Sequence, residues 1–161
     1  MSGSHEIQVV TFGLGAEVFA VPVTLVREIL DYRETFRIPN GPDYLLGLTD
    51  MRGQGVTTID FRLRLGLPHA EPTPSTRILV VEVPLPDRNL MLGIVVDRVL
   101  EVSTFSSDQI EGAPDIGVRW RSDYIGGVVK RADGFVVLVD IARVFSSDDV
   151  ALLSPPVANA A

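Results

Sequence analysis

Short apolar runs, separated by turn residues, dominate the chain. Valine and isoleucine are the main residues of these runs, and β-branched side chains favour the pleated, half-buried surface of a sheet. Asp133-Gly134 is typical of a tight hairpin between two such runs. The pattern predicts a mainly β protein, with strands at 6–12, 17–23, 77–83, 90–96, 124–130 and 134–140.

Helix signals are few. Segment 22–30 opens with proline, which the first turn of a helix tolerates, and spaces its apolar residues as a helix does. We interpret it as a short helix, although its β-branched residues leave a strand possible. Segment 146–161 is predicted to form a short C-terminal helix followed by a loose tail at 154–161, because two prolines end the helical pattern.

Two stretches of the chain recur later in the same order. Positions within 44–60 recur after 80 residues, and positions within 21–29 recur after 73 residues. The matched pairs are Tyr44 with Tyr124, Gly47 with Gly127, Asp60 with Asp140, Val26 with Val99 and Glu28 with Glu101. Two ordered matches favour an internal duplication over chance.

The duplication predicts related halves at 7–70 and 75–153 within one domain of 1–161, joined by proline-rich 67–76. We interpret it as two small β-barrels packed together, because barrel closure leaves no strand edge exposed.

The amino-acid composition excludes several classes of function. Fourteen Lys and Arg residues face twenty-one Asp and Glu, a net charge of −7, and no basic patch suggests nucleic-acid binding. The chain has no cysteine, so disulfides and thiol catalysis are excluded. Without a signal-like start or an apolar run long enough to enter a bilayer, we expect a cytoplasmic protein that does not insert into membranes.

The segment LLGLTDMRGQGVTTIDFR (45–62) concentrates the candidate chemistry. Its glycines are too close together, and lack the following lysine, for a phosphate-binding loop. Asp60 and Asp140 each precede a short helical pattern, so helix capping explains both better than acid–base catalysis. His5 and His69 have no companion residues that suggest a metal or a base, and we expect no cofactor, metal or catalytic residue.

Arg52 remains as the candidate functional residue of this segment. A tight turn at Gly53 and Gly55 would present its planar guanidinium to a carboxylate, and Glu28 is one possible mate. A solvated arginine at a turn is the alternative, which the residues alone leave open.

The order of these motifs resembles the CheW family of chemotaxis coupling proteins over about residues 7–153. The resemblance is carried by VVTFGLGAEVFAVPVTLVREIL, IPNGPDYLLGLTDMRGQGVTTIDFRLRLG, LGIVVDRVLEV and YIGGVVKRADGFVVLVDIARVF. It implies two five-stranded SH3-like barrels with short helices. It also implies a non-catalytic adaptor, monomeric on its own, that couples chemoreceptor cytoplasmic tips to the regulatory domain of the histidine kinase CheA in membrane-associated arrays.

By motif position, the resemblance implies a receptor-binding groove formed by Val26, Glu28, Gly47, Arg52, Val99, Val102 and Gly127, and a kinase-facing surface near Ile116. It also implies that Arg52 pairs with Glu28. Asp50 stands where the family usually has Asn, and the family commonly has Pro near Thr58; Asp50 could compete with Glu28 for Arg52.

Two other functions stay open. One is the same scaffold in a non-flagellar chemosensory pathway. The other is a small-molecule-binding or enzymatic barrel with Asp50, Arg52 and Asp60 around one cavity.

Overall fold

Strands account for most of the chain that the computed structural model describes, which is residues 5–39, 41–111, 124–132 and 134–144. The elements are β1 (Glu6–Leu14), β2 (Glu17–Pro22), a first 3-10 helix (Val23–Leu25), β3 (Val26–Asp31), β4 (Leu45–Met51), β5 (Gln54–Asp60), α1 (Phe61–Arg64), β6 (Arg77–Pro84), β7 (Asn89–Val96), β8 (Arg98–Ser106), a second 3-10 helix (Ser107–Gln109), β9 (Ile110–Glu111), β10 (Ile125–Arg131), β11 (Gly134–Val139) and α2 (Ile141–Val144). The prediction of a mainly β protein with few, short helices is confirmed. The predicted C-terminal helix and the tail at 154–161 lie outside the described residues.

The helical interpretation of 22–30 is wrong. Only Val23–Leu25 form a single 3-10 turn, and Val26–Asp31 continue as strand β3, paired with β6. Half-buried and exposed side chains alternate along β3, which is the period of a strand at a sheet surface. Pairing with β6 therefore decided an ambiguous pattern in favour of the strand that β-branching also allowed.

The strands form two sheets. The six-stranded sheet has the order β8-β1-β2-β11-β10-β9, and the five-stranded sheet has the order β3-β6-β7-β5-β4. The sixth strand of the larger sheet is the two-residue β9. Within each sheet one pair is parallel, β11 with β2 and β5 with β7, and the other pairs are antiparallel.

The sheets do not coincide with the halves predicted at 7–70 and 75–153. The hairpin β1–β2 of the first half lies in the six-stranded sheet, and the hairpin β6–β7 of the second half lies in the five-stranded sheet. The first hairpin of each half is therefore part of the sheet that contains the remaining strands of the other half. This exchange ties the two sheets into one folding unit.

The repeat is visible in backbone detail. The N–H of Asp60 donates to the carbonyl of Tyr44 at 2.7 Å, and Asp140 donates to Tyr124 at 2.8 Å. Register shifts fall at equivalent positions of β4 and β10, and again at equivalent positions of β3 and β8. The unpaired residues at these bulges are Leu46 with Gly126, and Arg27 with Leu100.

The main core lies between the sheets. It contains apolar side chains of both sheets and of α1 and α2, including Phe12, Phe19, Ile59, Phe61, Leu79, Leu92, Val139 and Ile141. Smaller clusters around Val9 and around Val80 fill the other face of each sheet. Because both faces are buried, the strands are continuous apolar runs. Within the described part of the chain, no helix has the length and apolarity needed to cross a membrane.

Candidate protein-interaction site

A tight hairpin between β4 and β5 presents Arg52. Met51 pairs with Gln54, so the turn has two central residues, Arg52 and Gly53, with φ of 54° and 84°. Positive φ at both central positions is the geometry that matches the right-handed twist of the strands. The Oδ1 of Asp50 accepts a hydrogen bond of 2.8 Å from the N–H of Gly53. Asp50 therefore holds the turn and does not compete for Arg52.

The expected ion pair between Arg52 and Glu28 is present. Nη2 of Arg52 donates to Oε1 of Glu28 at 2.5 Å and to Oε2 at 2.9 Å. Glu28 lies on β3, a strand at the opposite edge of the sheet from β4, and not on a helix. Among the described residues, Nε and Nη1 of Arg52 have no partner. The arginine is fixed through one nitrogen and keeps donors for a second carboxylate.

The chain after β3 closes the five-stranded sheet. Phe36 and Leu48 of β4 exchange backbone hydrogen bonds of 2.8 and 2.9 Å, and Thr35 donates its hydroxyl to the carbonyl of Leu46 at 2.9 Å. Gly47 sits under this crossing with φ of 135°, and a Cβ there would lie 2.0 Å from the carbonyl oxygen of Phe36. This position accepts glycine alone, because any side chain would separate the two segments.

The equivalent closure occurs in the six-stranded sheet. The chain after β8 passes through the second 3-10 helix into β9, which pairs with β10. A Cβ on Gly127 would lie 2.5 Å from Cγ2 of Ile110. Gly47 and Gly127 are both buried, so neither presents a contact surface, and the absence of a side chain allows the neighbouring segment to approach closely.

The valines assigned to the groove occupy equivalent strands. Val26 of β3 and Val99 of β8 are half-buried and pack against the core that the two sheets share. Val102, three residues further along β8, is largely exposed. The exposed large apolar side chains of the described residues are Ile29, Phe36, Ile38, Leu100, Val102 and Phe135. Several of these lie on β3, on β8 or in the segment that follows β3, and exposed apolar side chains of this size mark interaction surfaces when they are contiguous.

Asp60 caps α1, as the sequence predicts. Its Oδ1 accepts a hydrogen bond of 3.2 Å from the N–H of Leu63, and its Oδ2 lies 3.0 Å from Nδ1 of His69. The carboxylate of Asp60, with a smaller contribution from Glu71, raises the pKa of His69. Asp140 precedes α2, and its side chain lies 3.5 Å from Nε of Arg143. The contact between His69 and Asp60 could not be predicted, because it forms only when the proline-rich join folds back onto α1.

A second ion pair that the sequence did not reveal joins α1 to the end of β7. Arg62 donates to both carboxylate oxygens of Asp97 at 2.9 and 2.7 Å, and Gly15 donates its N–H to the same carboxylate at 2.6 Å. The hydrogen bond from Arg62 is the main reason that the pKa of Asp97 lies below its usual range. This pair ties the β1–β2 hairpin to the elements of the other sheet.

The enclosed site of the rival hypothesis does not assemble. Arg52 lies in the turn before β5 and Asp60 is the last residue of β5, a seven-residue strand about 20 Å long. Asp60 borders a pocket of about 200 Å³ shared with His69 and Arg62, and neither Asp50 nor Arg52 lines it. Within the described residues, no three metal-ligating side chains come together. Ile116, the candidate for a kinase-facing surface, lies outside the described residues.

Comparison with known proteins identifies the family of this chain. Residues 8–149 match a CheW-like domain. The chain is 32% identical to the chemotaxis protein CheW of Klebsiella aerogenes over 142 residues, covering 88% of this chain and 83% of the relative. It is 31% identical to the chemotaxis protein CheW of Rhizobium meliloti over 148 residues, covering 92% of each.

The fold has a close counterpart among solved structures. The crystal structure of the scaffolding protein TtCheW from Thermoanaerobacter tengcongensis superposes with a TM-score of 0.79 at 23% identity, covering 90% of this chain and 91% of that one. The likeness extends over both sheets, as the domain match does. The chain belongs to the CheW family.

Proposed function

We propose that this chain is a non-catalytic adaptor of chemotaxis, which couples the cytoplasmic tips of chemoreceptors to the histidine kinase CheA. The observation that carries the proposal is the match to a CheW-like domain over residues 8–149, in a chain whose relatives are chemotaxis proteins. The adaptor works in the cytoplasm and reaches membrane-associated receptor arrays through its partners.

The receptor tip docks on a groove whose two walls are the edge strands β3 and β8. The groove is formed by Val26, Glu28, Gly47, Arg52, Val99, Val102 and Gly127. Two features of the structure support it. One is the ion pair between Arg52 and Glu28, which we call the clasp, and the other is the set of apolar side chains on both strands. A helical hairpin presents side chains at helical spacing, which suits a shallow apolar strip flanked by a fixed cation.

The two partners use different surfaces. The regulatory domain of CheA binds a surface near Ile116, and the receptor binds the groove. Separate surfaces allow the three proteins to form a ternary complex, which an adaptor requires.

The experiment is reconstitution from purified components. The chain is mixed with a receptor cytoplasmic fragment and CheA from the same organism, and complex formation is followed by size-exclusion chromatography with CheA autophosphorylation as the readout. We expect a ternary complex with an altered phosphorylation rate, and omission of this chain should abolish both effects. Binding to neither partner would contradict the proposal.

A further inference from the structure

Each sheet carries an arginine–glutamate clasp at the equivalent place. In the five-stranded sheet, Arg52 of the β4–β5 hairpin binds Glu28 of β3. In the six-stranded sheet, Arg131 at the end of β10 donates to Glu101 of β8 at 3.1 Å. Glu101 is the repeat partner of Glu28, and both arginines lie at the tip of the equivalent hairpin. The two clasps therefore hold the two edge strands by the same device.

The clasps differ in which charge faces solvent. Arg52 is 77% exposed and Glu28 is 21% exposed, so the first clasp displays its cation. Arg131 is 34% exposed and Glu101 is 58% exposed, so the second clasp displays its anion.

The local contacts explain the difference. Arg131 also donates to the hydroxyl of Ser103 at 3.2 Å, and its guanidinium carbon lies 5.5 Å from the centroid of the Phe105 ring. The aromatic face and the hydroxyl draw this arginine onto the sheet. Arg52 stands at the centre of a two-residue turn, and its Glu28 contact through Nη2 leaves 77% of its side chain exposed.

We infer that the docking groove is electrically polar, with a cationic wall at Arg52 and an anionic wall at Glu101. This inference rests on the proposed function and names the chemistry of its partner. The receptor segment places a carboxylate toward Arg52 and a basic side chain toward Glu101, on either side of its apolar contacts. Complementary charge favours that arrangement and opposes the reverse one.

Opposite charges on the two walls of the groove would determine the orientation in which the receptor hairpin binds. Two equivalent strands offer similar apolar surfaces, Val26 with Val99, and a helical hairpin of two antiparallel helices is itself nearly two-fold symmetric. Apolar contacts alone would therefore accept two orientations of the hairpin. Opposite charges on the two walls select one of them.

The test replaces the exposed anion without removing its hydrogen bonds. Glu101→Gln keeps an oxygen for Arg131 but loses the charge, and Glu17→Gln is the matched control at an exposed glutamate of the β1–β2 hairpin. Association and dissociation of a receptor cytoplasmic fragment are measured by surface plasmon resonance at low and at high salt, with thermal unfolding as the check on folding. Arg52→Gln is measured alongside.

We expect Glu101→Gln to weaken binding about three- to fivefold at low salt, mainly through a slower association rate, and less at high salt. Glu17→Gln should bind as the unmodified chain does. Unchanged binding by Glu101→Gln while Arg52→Gln is weakened would overturn the polar groove and leave the adaptor function standing. A salt-independent loss would also overturn it, because a purely structural effect is not screened. No binding by the unmodified chain would overturn the proposed function itself.

Discussion

Phe36 and Leu48 exchange two backbone hydrogen bonds, and this bridge helps to close the five-stranded sheet around its own apolar cluster. The bridge brings the segment after β3 against β4, although these strands stand at opposite edges of the sheet. The clasp between Arg52 and Glu28 joins the same two edges. Closure and display of the arginine are therefore consequences of one arrangement of the backbone.

Replacing the glycine beneath this bridge should open the sheet. Gly47→Ala adds a Cβ 2.0 Å from the carbonyl oxygen of Phe36 at a φ of 135°, and we expect a loss of more than about 3 kcal/mol in the free energy of unfolding. Gly53→Ala is the control, because its φ is also positive but no atom lies within 4 Å of the added Cβ. Its cost should be about 1 kcal/mol. Urea unfolding checks both, and equal costs would show that the crossing does not constrain Gly47.

The contact between His69 and Asp60 should make stability depend on pH near neutrality. Asp60 raises the folded-state pKa of His69 above the usual 6.5, so its stabilising contribution is complete below that value and is lost as pH rises through the folded-state pKa. Urea unfolding at pH 6 and pH 8 should therefore show a larger decrease for the unmodified chain than for His69→Gln. His5→Gln is the matched control and should retain the decrease. If His69→Gln retains it as well, the contact does not stabilise the fold.

The pair between Arg62 and Asp97 should govern acid sensitivity. Its hydrogen bonds lower the folded-state pKa of Asp97 below the usual 3.8, so this contribution is present above pH 3.8 and is lost as pH falls through the folded-state pKa. Asp97→Asn should cost about 1.5–3 kcal/mol at pH 7, and the difference from the unmodified chain should shrink toward pH 3. Asp31→Asn, at an exposed carboxylate 3.6 Å from Arg77, should cost little at any pH. A difference for Asp97→Asn that does not change with pH would contradict this role.

The strands were predictable because burial restricts the types of residue that their positions accept. Residues 78–81 of β6 are buried on both faces, and β-branched and other apolar residues suit that environment. Residues 22–30 were ambiguous because their apolar residues recur at helical spacing, whereas several of them are β-branched and therefore also favour a strand. The strand that forms depends on pairing with β6, which is distant in sequence.

The exchange of hairpins between the two halves could not be predicted. A repeat shows which strands are equivalent, but it does not show whether β1 pairs with β3 of its own half or with β8 of the other. The same limit applies to the site. The family resemblance predicted that Arg52 binds Glu28, but the sequence placed Glu28 on a helix. The contact forms because the sheet brings its two edges together.

We propose that Arg52, held by Glu28, belongs to a surface that binds chemoreceptors. The most direct measurement is the equilibrium dissociation constant of a receptor cytoplasmic fragment for Arg52→Glu, compared with Arg143→Glu at an exposed arginine of α2. We predict that Arg52→Glu weakens binding at least about tenfold, ~1.4 kcal/mol, with an unchanged circular dichroism spectrum, and that Arg143→Glu binds normally. Equal affinity of Arg52→Glu and the unmodified chain would contradict the account.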